Sequence, residues 1–428
     1  MKWPGLAAVV VCVVHIAKSS AVAPPFLLDG KPVERITAYL FHAGGHDDPA
    51  RLAANAGKNF TGVSIYGGGF TFDDTDKHGV ANSISLMHEV IAKDPRNAER
   101  IFPYIGGEEV NDTPTHAYHR YVINFGEMSE EEAQQWPELM RIVKEKVKPE
   151  RTTSINADVA KWPWWQFWRI RGELTVATRG MKHVLGISRV GEKMGFALLP
   201  ANTVFADSLV LLTFETHGAF CLLQSRPHEV WARFFASSMK DDLRYTPSDC
   251  FETFPFPEGF ESDPDLEAVG QEYYEFRAAL MIRNNEGLTK TYNRFHDPHE
   301  RSPEIAELRR LHDAMDRAVL AAYGPPFAEL AVPPCEFLLD YEDDEEDDEE
   351  STGKRQKKKP WRFRWPDAFR DEVLALLLDL NKERAALEGA APAKAKKSRR
   401  GRKPRRGTGS CFDFRSQRNR LSPRYRNW

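Results

Sequence analysis

The 428-residue chain has few cysteines and nothing that organises them. Cys12, Cys221, Cys250, Cys335 and Cys411 are odd in number and never stand as C-x-x-C, which excludes a disulfide framework and a cysteine zinc site. Beyond residue 16 no apolar run approaches the ~20 residues that a membrane helix needs, so no membrane partner is expected. No internal repeat is visible. Gly67-Gly68-Gly69 is not followed by Gly-Lys-Ser/Thr and is no phosphate loop. His116 and His119, or His296 and His299, stand at i, i+3 but converge with no carboxylate pattern, so no metal is expected.

The opening segment imitates an exported leader. Lys2 precedes an apolar run, and Ala21-Val22-Ala23 imitates a cleavage site. Yet Ala7 to Ile16 is dominated by Val9, Val10, Val11, Val13, Val14 and Ile16, interrupted by His15. That β-branched composition favours a strand over a Leu/Ala-rich leader helix. Asp29-Gly30 is a turn signal between Phe26-Leu27-Leu28 and the run Val33 to Leu40. Gly44 to Gly57 reads as a linker.

The net charge of −4 conceals segregation. From Ala390 to Trp428 there are fourteen Lys/Arg and one acid, Asp413, giving +13. The remainder therefore carries −17, over half of it in the unbroken acidic run Glu342 to Glu350. Between Lys161 and Pro200 seven Lys/Arg face only Glu173 and Glu192. A cationic stretch in an acidic protein is a candidate polyanion surface, with an ordinary solvated face as the competing reading. The stretch opens on Trp162-Pro163-Trp164-Trp165-Gln166-Phe167-Trp168-Arg169-Ile170-Arg171. Its arginines are the better candidates for DNA contact, whereas Trp164 and Trp168 are expected to anchor a core.

Strands are expected at Phe60 to Ile65, Tyr121 to Phe125, His183 to Val190, Gly195 to Leu199 and Ser208 to Phe214. Ser129-x-x-Glu132 is a capping box, and Pro137 restarts a helix toward Lys148. One helix is expected over Gly218 to Ala236, and helices dominate 264–330. Residues 342–360 and the tail are charge blocks of disordered composition. Trp365-Pro366 precedes a last helix.

One segment carries a family resemblance: Arg244-Tyr245-Thr246-Pro247-Ser248-Asp249-Cys250-Phe251-Glu252-Thr253-Phe254-Pro255-Phe256-Pro257. It resembles the end of the target-recognition domain of large adenine-specific DNA methyltransferases, the type IIG/IIL restriction-modification enzymes and related phage-defence methylases. Asp94 to Ala98, Phe102 to Glu109, Val122 to Phe125, Lys146 to Arg151, His228 to Ala232 and Gly287 to Asn293 match in order. The resemblance covers roughly residues 3–388.

It implies an α+β protein: remnant strands of a Rossmann-like methyltransferase core at 1–44, and a β-rich target-recognition domain at 45–262. A helical C-terminal domain at 263–388, with the disordered insert 342–360, and a disordered basic tail at 389–428 complete the chain. The implied function is DNA target recognition for site-specific adenine-N6 methylation in a restriction-modification or phage-defence system. The full-length family uses S-adenosylmethionine. This chain lacks the cofactor's Gly loop and Asn-Pro-Pro-Tyr/Phe: Ala23-Pro24-Pro25-Phe26 has no side-chain acceptor in the Asn position, and Gly324-Pro325-Pro326-Phe327 fails likewise. The chain alone is therefore expected to be a cytoplasmic fragment without catalytic or cofactor-binding residues. The alternative is an active methyltransferase completed in trans by an N-terminal polypeptide. Double-stranded DNA is the implied partner. Arg169, Arg171, Arg179, Lys182, Ser188, Arg189 and Lys193, on the cationic β-rich stretch, are the expected DNA contacts.

Overall fold

The computed structural model describes residues 25–28, 30–37, 39–41, 47–239, 242–339 and 361–390. The expected strand at Ala7 to Ile16, the acidic block and nearly all of the basic tail lie outside the described residues.

Two four-stranded sheets organise the chain. In order along it the strands are β1 (Asn59–Thr61), β2 (Thr71–Phe72), β3 (Ile101–Ile105), β4 (Arg120–Ile123), β5 (His183–Ser188), β6 (Phe196–Pro200), β7 (Val204–Phe205) and β8 (Leu209–Leu212). The first sheet has the order β7-β3-β4-β2, with β7 parallel to β3 and the rest antiparallel. The second has the order β1-β8-β5-β6, antiparallel throughout. The chain passes between the sheets four times, and two of these crossings lie at Gly62 and at Ala206. The two crossings are tied together: Gly62 N donates to Leu209 O (3.1 Å) and Val63 N to Phe205 O (2.8 Å).

Among the helices are α1 (Ile84–Lys93), α2 (Gly107–Asp112), α3 (Pro137–Thr152), α4 (His217–Gln224), α5 (Arg226–Phe235), α6 (Pro264–Asn284), α7 (Leu288–Phe295), α8 (Pro303–Ala322) and α9 (Asp367–Ala390), with shorter ones such as Glu130–Ala133 and Gly172–Ala177 between them. Local chemistry sets many of their ends. The Ser129–Glu132 capping box forms as expected, with Glu132 N donating to Ser129 Oγ and Ser129 N to Glu132 Oε2. The Asp263 carboxylate accepts from Asp265 N and Leu266 N at the start of α6, and Asn285 ends it in the left-handed region.

The strand β8, Leu-Val-Leu-Leu, is buried at every position, because α4 and the later helices cover the second sheet. Its core runs without a break from Leu185, Phe196 and Leu211 through Phe220 and Tyr273 to Leu308 and Leu377. Residues from 263 onward thus share a core with the sheet before them. A second core joins Val122, Ile123 and Phe125 to Met87 of α1, to Leu139 and Val143 of α3, and to Trp164 and Phe167.

Several expectations are corrected. The single helix from Gly218 to Ala236 is two. Ser225 is extended (φ −70°, ψ 160°) and α5 restarts with Pro227 in its first turn. A proline lacks the N–H that a continuing helix would need, whereas the first turn does not use it. Of the described residues in the run Val33 to Leu40 only Val33 lies in a strand, Lys31–Val33, which pairs with Phe26–Leu28. The described part of the Gly44 to Gly57 linker is anchored: Asn55 is buried and its Nδ2 donates to the carbonyls of Phe251, Glu252 and Phe254.

Candidate nucleic-acid interface

The strands β3 and β5, the β7–β8 crossing and the short strand Asp242–Arg244 end around one groove of about 400 Å³. Strand β3 delivers Gly106-Gly107 and then α2, which carries Asn111. Strand β5 ends on Ser188, and Arg189 follows. The crossing contributes Asp207 and Ser208. The pair Val190–Gly191 lies antiparallel to Asp242–Arg244, opposing Val190 to Arg244.

Backbone and side-chain bonds fix this frame. Arg189 N donates to Ser208 O (2.8 Å), and Arg189 O accepts from Tyr245 N (2.9 Å). Gly107 N donates to Ser208 Oγ (3.0 Å), and Asn111 Nδ2 to Ser188 Oγ (2.8 Å). Beneath α2 the fully buried Glu109 accepts two 2.6 Å bonds from the Arg120 fork and one of 2.8 Å from Gly106 N. Burial would raise the Glu109 carboxyl, but the Arg120 fork and the Gly106 amide outweigh it and hold it below the usual carboxylate range. Glu109 and Arg120 thus form a satisfied ion pair, whereas the Arg189 and Arg244 guanidiniums lining the groove form no ion pair among the described residues.

Chemically the groove presents two guanidinium forks, an amide, two hydroxyls and the Asp207 carboxylate. Donors and acceptors in that mixture suit the edges of base pairs in a major groove, where Arg meets guanine and Asn meets adenine. Ser188 Oγ is engaged by Asn111, and no histidine lines the groove to act as a base. Among the described residues no cluster of three His, Cys, Asp or Glu side chains could hold a metal, and no helix is long and apolar enough to cross a membrane. His116 Nδ1 lies 2.9 Å from Val110 O, and His296 is buried with Nδ1 accepting from Phe363 N.

Of the sequence-derived contact residues, the structure brings together Ser188 and Arg189. Arg179 and Lys182 are exposed before the other end of β5, where Lys182 N donates to Glu215 Oε1 (2.7 Å). Seven residues separate Lys182 from Arg189, about 23 Å along a strand. Arg169 is exposed, its guanidinium 4.4 Å from the centre of the Trp168 ring, and its backbone exchanges hydrogen bonds with Ser64, next to the crossing at Val63 and Ala206. Arg171 takes a left-handed backbone (φ +56°) ahead of Gly172–Ala177 and lies 3.8 Å from Glu173.

Lys193 is turned inward. Its side chain is 9% exposed, with Nζ 2.5 Å from Glu192 Oε1. Burial, and then Arg362, push its ammonium below the usual lysine range against the pull of Glu192. Trp164 is buried, as expected of a core anchor. Trp168 is only half-buried, between Tyr66 and Arg169.

Sequence reasoning missed Asn111, Asp207, Ser208 and Arg244 as groove residues. Arg244 opens the segment that carried the family resemblance, and Asn111 follows the matching Phe102 to Glu109. Asp207 and Ser208 had no local signal, because only the crossing between sheets brings them to Arg189.

Comparison with known proteins agrees with this architecture. A family model described as MmeI, target recognition domain, matches residues 73–258, which include every residue lining the groove. Among solved structures the chain is similar in fold to the Type IIL restriction-modification enzyme MmeI in complex with DNA. The TM-score is 0.53 at 18% identity, over 83% of this chain and 39% of that one. The chain thus spans about two-fifths of the length of that enzyme. No curated protein matches. Residues 73–258 of the chain are thus similar to the MmeI target recognition domain.

Proposed function

We propose that this chain reads a specific DNA sequence through the Arg189–Arg244 groove, on behalf of a restriction-modification or phage-defence system that methylates adenine at N6. One observation carries the reading: two guanidiniums without ion-pair partners among the described residues, an amide and two hydroxyls converge on a groove lying wholly within the residues that match a target recognition domain. Arg189 and Arg244 contact base edges, Asn111 and Asp207 complete the readout, and Arg169, Arg171, Arg179 and Lys182 contact phosphates on either side. Lys193 acts from behind the groove.

Methylation itself, in the cytoplasm, falls to a methyltransferase core. That core holds S-adenosylmethionine and the Asn-Pro-Pro-Tyr/Phe motif. The alternative reading is an active methyltransferase completed in trans by an N-terminal polypeptide.

The test is binding selection on randomised duplexes. The parent chain is expected to enrich one sequence. Arg189→Ala and Arg244→Ala are each expected to narrow the gap between enriched and random DNA by ~1–3 kcal/mol, as for loss of a bidentate base contact. Enrichment that survives both substitutions would place readout elsewhere.

A further inference from the structure

Behind the groove lies a charged cluster that DNA contact does not account for. Glu192 follows Val190–Gly191, the residues paired with Asp242–Arg244. Its backbone carbonyl accepts from two guanidiniums, Arg362 Nη2 at 2.5 Å and Arg233 Nη2 at 3.0 Å. Both also meet the Glu229 carboxylate, Arg233 Nε at 2.8 Å and Arg362 Nη1 at 3.5 Å. Arg233 and Glu229 belong to α5. Arg362 comes from the strand Trp361–Arg364, which pairs with Glu336–Leu339. The Arg362 side chain is 3% exposed, so it does not itself face a ligand.

We infer that Arg362 is a positioning residue for the groove: by holding the Glu192 carbonyl it fixes Val190–Gly191 against Asp242–Arg244, the pair of segments that carries Arg189 and Arg244. The inference rests on the proposed DNA reading. A pairing this short contributes few ladder bonds of its own and needs external support. Two charge-assisted bonds to one carbonyl supply it at one end. Ser208 O and Tyr245 N supply it at the other, on Arg189. Base readout depends on this support more than phosphate contact does. Hydrogen bonds to base edges weaken steeply when misaligned, while phosphate attraction tolerates small shifts. The last strand of the described fold thereby becomes part of the recognition apparatus, although more than a hundred residues separate it in sequence from Arg244.

The experiment uses the full chain. Arg362→Met keeps the aliphatic stem and removes every donor, and Glu229 retains Arg233. Expected are a loss of about tenfold in preference for the selected duplex over random DNA, the scale of one base contact, with affinity for random DNA unchanged. Amide exchange should quicken over residues 188–195 and 242–246 but not over α3. Arg362→Lys, with one charged donor arm, should fall between parent and Met variant. Unchanged preference with unchanged exchange overturns the inference. So does a uniform quickening of exchange throughout the chain, which reads general destabilisation. If the parent prefers no duplex at all, the DNA reading has failed. The exchange measurement then decides alone, and loosening confined to those two segments upholds the clamp.

Discussion

A Cβ added to Gly62 would lie 2.1 Å from the carbonyl oxygen of Ala206, and 2.5 Å from that of Phe205. Two of the crossings between the sheets touch backbone to backbone, and only glycine leaves room. Ala206 immediately precedes Asp207 and Ser208, so this approach also sets the wall of the groove. Gly62→Ala is expected to destabilise the chain by about 3 kcal/mol, since the obstacle is backbone and cannot rotate away. Urea denaturation measures it, and a loss under ~1 kcal/mol would show that the crossing yields.

Local signals in the sequence were legible because they act locally. The Ser129–Glu132 box and the Pro137 start each specify their element without help from distant residues. The mixed α+β class was what the family resemblance implied. The break at Ser225 was written in Pro227, yet the apolar spacing on either side masked it. Side-chain destinations were less legible. Lys193 looks like Arg189 in the sequence, four residues away, but its side chain is buried beside Glu192, at the bend after Val190–Gly191. The groove is built from residues more than a hundred positions apart, such as Asn111 and Arg244, and no spacing rule joins them.

Arg151 shows how a buried charge can organise loops. Its Nε donates to Tyr66 O (2.9 Å), Nη1 to Pro163 O (2.9 Å) and Nη2 to Ile65 O (2.7 Å), with the residue 1% exposed. Burial lowers its pKa to about 10, so it stays charged at neutral pH. Tyr66 holds an unusual backbone, φ +41°, under this clamp. A lysine has one nitrogen and cannot span three carbonyls on two segments. Arg151→Lys should therefore destabilise the chain by roughly 2–3 kcal/mol, the cost of carbonyls left unpaired. Thermal unfolding decides it; stability equal to the parent would mean that the carbonyls find water.

Acid should weaken the fold before carboxylates titrate. His228 is fully buried among Phe196, Phe254 and Phe256, with Nε2 2.9 Å from Tyr245 Oη. Burial lowers its pKa to about 3, and burial likewise holds His296 well below the ordinary value. Between the unfolded value near 6.5 and the folded value, the unfolded chain binds a proton that the folded chain refuses. Stability is therefore present above pH ~6.5 and lost as pH falls toward the folded value, by about 1.4 kcal/mol per pH unit for each such histidine. His228→Gln should reduce the slope by one histidine's share. Denaturation midpoints from pH 7 to 5 provide the measurement, and identical slopes in parent and variant would refute the assignment.

The cationic tail and the groove should separate in a salt titration. Beyond Ala390 fourteen Lys/Arg accompany one acid, and such a run can neutralise several phosphates without reading bases. Each phosphate neutralised on duplex DNA steepens the dependence of log affinity on log salt by about 0.9. Truncation after Glu388 should therefore flatten the slope by several such increments and weaken binding to every sequence alike. Sequence preference should survive, because Arg189, Arg244 and their supports remain. Arg244→Ala should do the reverse, leaving most of the slope and losing preference. Loss of preference on truncation, with preference intact in Arg244→Ala, would move readout from the groove to the tail. An unchanged slope on truncation would show that the tail does not engage phosphates.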